Sequence, residues 1–309
     1  IFDTIGQLVR ATEGVVNLGQ GFPDFDCPKR LKELASFYLN DRKNQYPPMA
    51  GIPSLRQQIA TKITSLYNYA ADPETEITVT SGATEALFDA VQAVVHRGDE
   101  VIMFDPAYDS YEPAVQMAGG VSVPIPLSLP DYSIDWQRLS ESINDRTRLI
   151  IINSPHNPCG AILTREDLDQ LAALIAERDI VVLSDEVYEH MVFDGQPHLS
   201  LLSSELLRQR SVVISSFGKT YHATGWKVGY AVAPEQLSRE FRKIHQFVTF
   251  TTHTPTQYAL ADFMVQHPEH HQQLPAFYEE KRNLFFNLLA PSKFKMTLSQ
   301  GTYFQLADY

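Results

Sequence analysis

The chain has 309 residues, 44% hydrophobic and 20% charged, enough for a sizeable core and, by length, for two domains. Its net charge of −12 argues against a nucleic-acid partner, because phosphate backbones need a basic face. No run of about 18 apolar residues occurs, so no membrane partner is expected. The two cysteines, Cys27 and Cys159, read as thiols of a reducing cytoplasm rather than as a lone disulfide.

Residues 1–45 are loop-rich, with the turn formers of "GQGFPDFDCP" (19–28). Residue 1 is Ile, and no charged-then-apolar signal segment precedes the first helix-like stretch. Seven short apolar runs then read as strands: 77–80, 100–104, 121–125, 149–153, 180–184, 211–215 and 228–233. Several are apolar at almost every position, as strands buried on both faces must be. Helical patterns lie between many of them. After "SGAT", Leu87, Ala90, Val91, Val94 and Val95 recur at helical spacing. "TREDLDQLAALIAERD" opens with Thr164 as an N-cap and Asp167 three residues on, close to a capping box.

This alternation predicts an α/β fold, a mostly parallel sheet with helices on both faces and sites at the carboxyl ends of the strands. The segments 1–35 and 267–309 are expected to form one smaller domain beside a large domain spanning 36–266. The last run, "GTYFQLADY", stops abruptly, and further residues are expected beyond Tyr309.

Four stretches at strand ends carry candidate chemistry. In "TVTSGATEAL" a strand runs through Gly82 into a helix. The Ala83 and Thr84 amides there would face an anion, unless Gly82 only makes a tight turn. "IINSPHNPCG" offers Asn157 on a loop stiffened by prolines, or simply a turn. "VVLSDEVYEH" puts Asp185 and Tyr188 after a buried strand. A carboxylate there needs donors or a cation, though an N-cap is the plainer reading.

"SSFGKTYHATGWKVGY" (215–230) places Lys219 beyond an apolar strand, beside Ser216, with Lys227 eight residues on. Such a lysine could be solvated, hold a phosphate or form a covalent bond. A P-loop is excluded, because Val213 stands where its first glycine belongs and another strand follows. No dinucleotide fingerprint occurs. No zinc motif occurs either, so no metal is expected. The "HPEHH" histidines His267, His270 and His271 read as a solvated helix start. An anion cup, a strand-end Asp, an Asn, a Tyr and a Lys together suit pyridoxal 5'-phosphate, a phosphorylated aromatic aldehyde with a ring nitrogen and a phenolic oxygen.

Seven motifs in order support a resemblance that covers essentially the whole chain: "NLGQGFPDF", "NQYPPMAG", "TVTSGATEAL", "DPAYDSYEP", "NSPHNPCG", "SDEVYEH" and "SSFGKTYHATGWKVGY". The chain resembles fold-type I, class I/II aminotransferases, especially the branch of kynurenine aminotransferase, glutamine transaminase K and bacterial methionine aminotransferase. The resemblance implies a cytoplasmic homodimer that moves an amino group from a methionine-like, aromatic or glutamine-like amino acid to a 2-oxo acid. It implies Lys219 as the covalent anchor of the cofactor and carrier of the substrate proton, and Asp185 as partner of the ring nitrogen. Asn157 and Tyr188 would bond the phenolic oxygen, and Tyr108 would stack on the ring. Gly82, Ser216, Lys227 and the Ala83 and Thr84 amides would cup the phosphate, joined by Tyr46 of the other subunit. Gly21, Phe22 and Asn157 would meet substrate, and Phe22, Tyr108, Tyr221 and Phe304 would line an apolar pocket, unless these aromatics only pack in the core, a reading as strong as the pocket for Tyr221 and Phe304.

Lys227 departs from the arginine common in the wider family, although the branch named above also resembles lysine here. The arginine that takes the substrate carboxylate is expected beyond Tyr309. A carbon–sulfur β-lyase on the same scaffold, or a truncated, catalytically impaired homologue, stands as the alternative.

Overall fold

The structure, a computed structural model, describes residues 2–19, 21, 23 and 25–309. The strands are β1 (Ile77–Thr80), β2 (Glu100–Asp105), β3 (Val121–Pro126), β4 (Thr147–Asn153), β5 (Val181–Asp185), β6 (Ser211–Ser216) and β7 (Gly229–Val232). They form one seven-stranded sheet in the order β1-β7-β6-β5-β4-β2-β3. Only β7 pairs antiparallel with its neighbours, β1 and β6; every other pairing is parallel. The expected α/β sheet is therefore present, with all seven strands near their predicted places.

Alternation along each strand sends side chains to opposite faces. In β4, Ile150 and Ile152 join the core on one face with Ile59, Leu139 and Val182. Leu149 and Ile151 join the other with Leu87, Val91 and Leu183. This two-sided burial explains why the central strands carry consecutive apolar residues rather than an alternating pattern. The helix Arg165–Ile175 opens with a complete capping box between Thr164 and Asp167, as its sequence predicts. No helix among the described residues is long and apolar enough to cross a membrane.

The register decides where the chemistry gathers. Asn153 pairs with Asp185 across β4 and β5. Ser216 pairs with Gly229, which pairs in turn with Thr80 at the end of β1. The ends of β1, β4, β5 and β6 thus share one edge of the sheet with the start of β7. Gly229 permits this closeness. A Cβ there would lie 2.8 Å from both the Ala83 amide nitrogen and the Ser215 carbonyl oxygen, backbone atoms that cannot swing aside.

Gly229→Ala is therefore expected to lower stability by ~1–3 kcal/mol in a urea titration, the usual scale of overpacking. An unchanged midpoint would contradict the close approach of β7 to Ala83.

Candidate active site

A cavity of 620 Å³ opens at this edge. Lys219 reaches it from the one-turn helix Phe217–Thr220, which continues directly from β6. Ser216 caps that turn, its Oγ accepting the Gly218 amide at 3.2 Å. The Lys219 Nζ donates to the Tyr303 hydroxyl at 2.6 Å and to the Gly21 carbonyl at 3.4 Å. Tyr303 passes its own proton toward the same Gly21 oxygen, 2.7 Å away. Burial lowers the pKa of the Lys219 amine to about 8; Lys227 pushes the same way and Asp185 resists. An amine so poised exists in both protonation states near neutrality, which suits proton transfer.

Asp185 ends β5 and is 3% exposed. Burial raises its pKa to about 6, against hydrogen bonds from Tyr111 and the Val187 amide and the charge of Lys219. The Tyr111 hydroxyl donates to Oδ2 at 2.7 Å, and the Val187 amide reaches Oδ1 at 3.3 Å. Asn153 steadies the neighbouring backbone. Its Nδ2 donates to the Asp185 carbonyl, and its Oδ1 accepts the Asn157 amide at 2.6 Å. Asn157 and Tyr188 both line the cavity. Burial holds the Tyr188 phenol well above its ordinary pKa, so it remains a neutral donor.

On the opposite wall, Gly82 begins the helix Gly82–Val94 at φ +78°, a left-handed conformation that a side chain would strain. A Cβ there would come within 3.4 Å of Lys227 Cε. The Lys227 Nζ lies 3.4 Å from Thr84 Oγ1. The Lys227 cation, a helix start and the Ser216 and Thr84 hydroxyls thus line one part of the cavity. That donor set suits a phosphate. A buried carboxylate for a ring nitrogen and a lysine of lowered pKa complete what pyridoxal phosphate needs, so the residues present fit that group.

Beneath the site lies a buried ion pair. The Lys62 Nζ donates to Glu189 Oε1 at 2.6 Å and to the Tyr230 hydroxyl at 2.8 Å. The Ser215 hydroxyl donates to the same carboxylate oxygen. Burial pushes the Glu189 pKa up, but Lys62, His190 and the Ser215 hydroxyl together outweigh it and hold the carboxyl far below its usual range. The pair ties β6 and β7 to the segment that carries Tyr188.

Most predicted residues gather as expected: Gly21, Gly82, Ala83, Thr84, Tyr108, Asn157, Asp185, Tyr188, Ser216, Lys219, Lys227 and Phe304 all line the cavity. Tyr46 stands outside it, 82% exposed and edge-on to Phe250. Phe22 lies outside the described residues. Tyr221 does not line the cavity. It is 5% exposed and packs on Phe217 and Phe263, because the turn that presents Lys219 points Tyr221 into the core. The tail histidines also differ from expectation. His270 packs against Tyr221 and Phe263, and His271 packs against His190, so neither is a freely solvated side chain. Tyr111 and Tyr303 were missed. Each stands within or beside a quoted motif, but their partners lie 74 and 84 residues away.

Residues 13–309 match the family described as aminotransferase class I and II. The chain belongs to that family. It is 48% identical over 309 residues to the methionine aminotransferase of Escherichia coli strain K12, covering all of this chain and 80% of that protein. It is 39% identical to human kynurenine–oxoglutarate transaminase 3, covering 96% of this chain and 70% of that one. The crystal structure of Escherichia coli YbdL, for which a methionine aminotransferase function is described, superposes with a TM-score of 0.98 at 48% identity, over 100% of this chain and 82% of that one. The N-succinyldiaminopimelate aminotransferase of Mycobacterium tuberculosis gives 0.96 at 38%, over 99% and 80%. The activity class is that of a pyridoxal-phosphate-dependent aminotransferase, and these relatives do not favour the β-lyase alternative.

Replacing Asp185 with Asn removes the attraction that holds the Lys219 proton. The Lys219 titration midpoint, read by NMR of reductively ¹³C-methylated, cofactor-free protein, should then move below about 8. An upward shift, or none, would contradict the coupling.

Proposed function

We propose that this aminotransferase holds pyridoxal 5'-phosphate in the 620 Å³ cavity and takes its amino group from a methionine-like, aromatic or glutamine-like amino acid. The observation that carries the reading is the poised amine of Lys219, half-buried in the cavity, hydrogen-bonded to Tyr303 and electrostatically coupled to Asp185. When bound, the cofactor supplies an electron sink for the carbanion left at the substrate Cα. Lys219 would hold the cofactor, and its amine, with a pKa of about 8, would move the Cα proton. Asp185, ionised at neutral pH, holds the ring nitrogen protonated. Tyr188 and Asn157 donate to the phenolic oxygen. Ser216, Lys227 and the Ala83 and Thr84 amides hold the phosphate, and Tyr108 covers one face of the ring.

The exposed Tyr46 supports a homodimer in which it reaches the partner's phosphate. The same reading takes residues 1–35 and 267–309 as a smaller domain beside 36–266, in a cytoplasmic enzyme. Gly21 and Asn157 would meet the substrate, as would Phe22. Phe304 supports an apolar donor. Its ring packs so tightly over Gly21 that a Cβ there would fall 2.2 Å away. The methionine and kynurenine names of the relatives point the same way.

A panel of amino donors with 2-oxo acid acceptors tests this. Methionine and aromatic donors should exceed aspartate in kcat/KM by at least about tenfold, the scale on which an apolar pocket discriminates. Aspartate as the best donor would overturn the substrate reading.

A further inference from the structure

Asp185 is a buried anion with little to keep it charged. Its neighbour Glu186 destabilises the charge, and Lys219, on the helix after β6, stabilises it. The rings of Tyr108 and Tyr188 close the surroundings and bring no charge. Two donors remain among the described residues. The Val187 amide is 3.3 Å from Oδ1, whereas the Tyr111 hydroxyl is 2.7 Å from Oδ2. The shorter O–H···O⁻ bond is charge-assisted and the stronger of the two. Tyr111 can always provide it. The residue is 3% exposed, and burial together with the adjoining carboxylate holds its phenol well above the ordinary pKa. Its ring packs among Leu87, Val115 and Leu183, a task that phenylalanine would perform equally well. The hydroxyl is therefore the part that packing does not explain.

We propose that Tyr111 is a positioning residue whose hydroxyl keeps Asp185 ionised and fixes its carboxylate plane, leaving Oδ1 to meet a protonated ring nitrogen. The ring-nitrogen half rests on the proposed function; the link between Tyr111 and Asp185 does not. Without the hydroxyl, Oδ2 loses its stronger donor, and burial acts on Asp185 less opposed. More of the carboxyl is then protonated at neutral pH, and a protonated carboxyl cannot hold the ring proton.

The test begins on cofactor-free protein carrying ¹³C-carboxyl aspartate, with the Asp185 signal assigned by Asp185→Asn. In Tyr111→Phe the Asp185 midpoint should rise by roughly one unit, the worth of a hydrogen bond to a charged group, while Tm changes little. An unmoved midpoint overturns the proposal. Should Tyr111→Phe fail to fold, 3-fluorotyrosine at position 111 gives a more acidic donor and should lower the midpoint; no movement there overturns it equally.

The second arm adds ¹⁵N-labelled pyridoxal phosphate. In the wild type the ring nitrogen should read as protonated at pH 7, and in Tyr111→Phe its protonated fraction should fall. A nitrogen signal indifferent to Asp185→Asn would overturn the ring-nitrogen half and the cofactor placement with it. The titration result on cofactor-free protein would then stand separately.

Discussion

The site depends on a half-buried ammonium and a buried carboxylate brought to one edge of the sheet. Burial pushes both toward neutrality: the Lys219 pKa falls to about 8 and the Asp185 pKa rises to about 6. Each opposes the other's loss of charge. Neither group stands alone in the chain's design. The parallel pairing of β5 with β6 sets their elements side by side, and the pairing of Asn153 with Asp185 adds the next strand end. The lysine consequently gives up its proton more readily than a solvated lysine would, and the aspartate keeps a cation within electrostatic reach.

Two charged clusters hold this edge in place. Glu189, paired with Lys62, binds β6 and β7 from below. Removing one partner of such a pair typically costs several kcal/mol, because the other is left buried and uncompensated. The second cluster lies on the helix Gly82–Val94 that begins at the cavity. The His245 ring nitrogens meet Glu85 Oε1 at 2.8 Å and the Met49 carbonyl at 3.1 Å. Two acceptors require two N–H donors, so the ring is an imidazolium. Burial alone would lower its pKa, but Asp89 and Glu85 outweigh that and raise it to about 9. The charge ties the helix after Gly82 to the loop that carries Tyr46. Rigid backing of this kind lets a cup of amides and one lysine keep its shape.

Much of this was legible in the sequence because burial leaves a local imprint. Four consecutive apolar residues such as Leu149 to Ile152 fit a strand only if both its faces are covered, and β4 is such a strand. Lys219, Asp185 and Gly82 stood out because each lies at or just beyond the end of a strand, where α/β sheets place their chemistry. Strand order and the single antiparallel strand β7 were not legible, since long-range pairing leaves no periodicity. Tyr111 and Tyr303 escaped for the same reason, each acting on a partner more than 70 residues away. For Tyr221 the sequence left pocket and core both open, and the structure shows the core. Two residues from Lys219, it sits past the end of a single helical turn and faces the core instead of the cavity.

The central claim is that Lys219, among all the lysines of the chain, is the one the cofactor engages. Peptide mapping by mass spectrometry, after incubation with pyridoxal phosphate and borohydride reduction, locates the pyridoxyl group directly. The account predicts a single stoichiometric adduct on the peptide carrying Lys219. An adduct on Lys227, or one scattered over surface lysines with Lys219 unmodified, would contradict it.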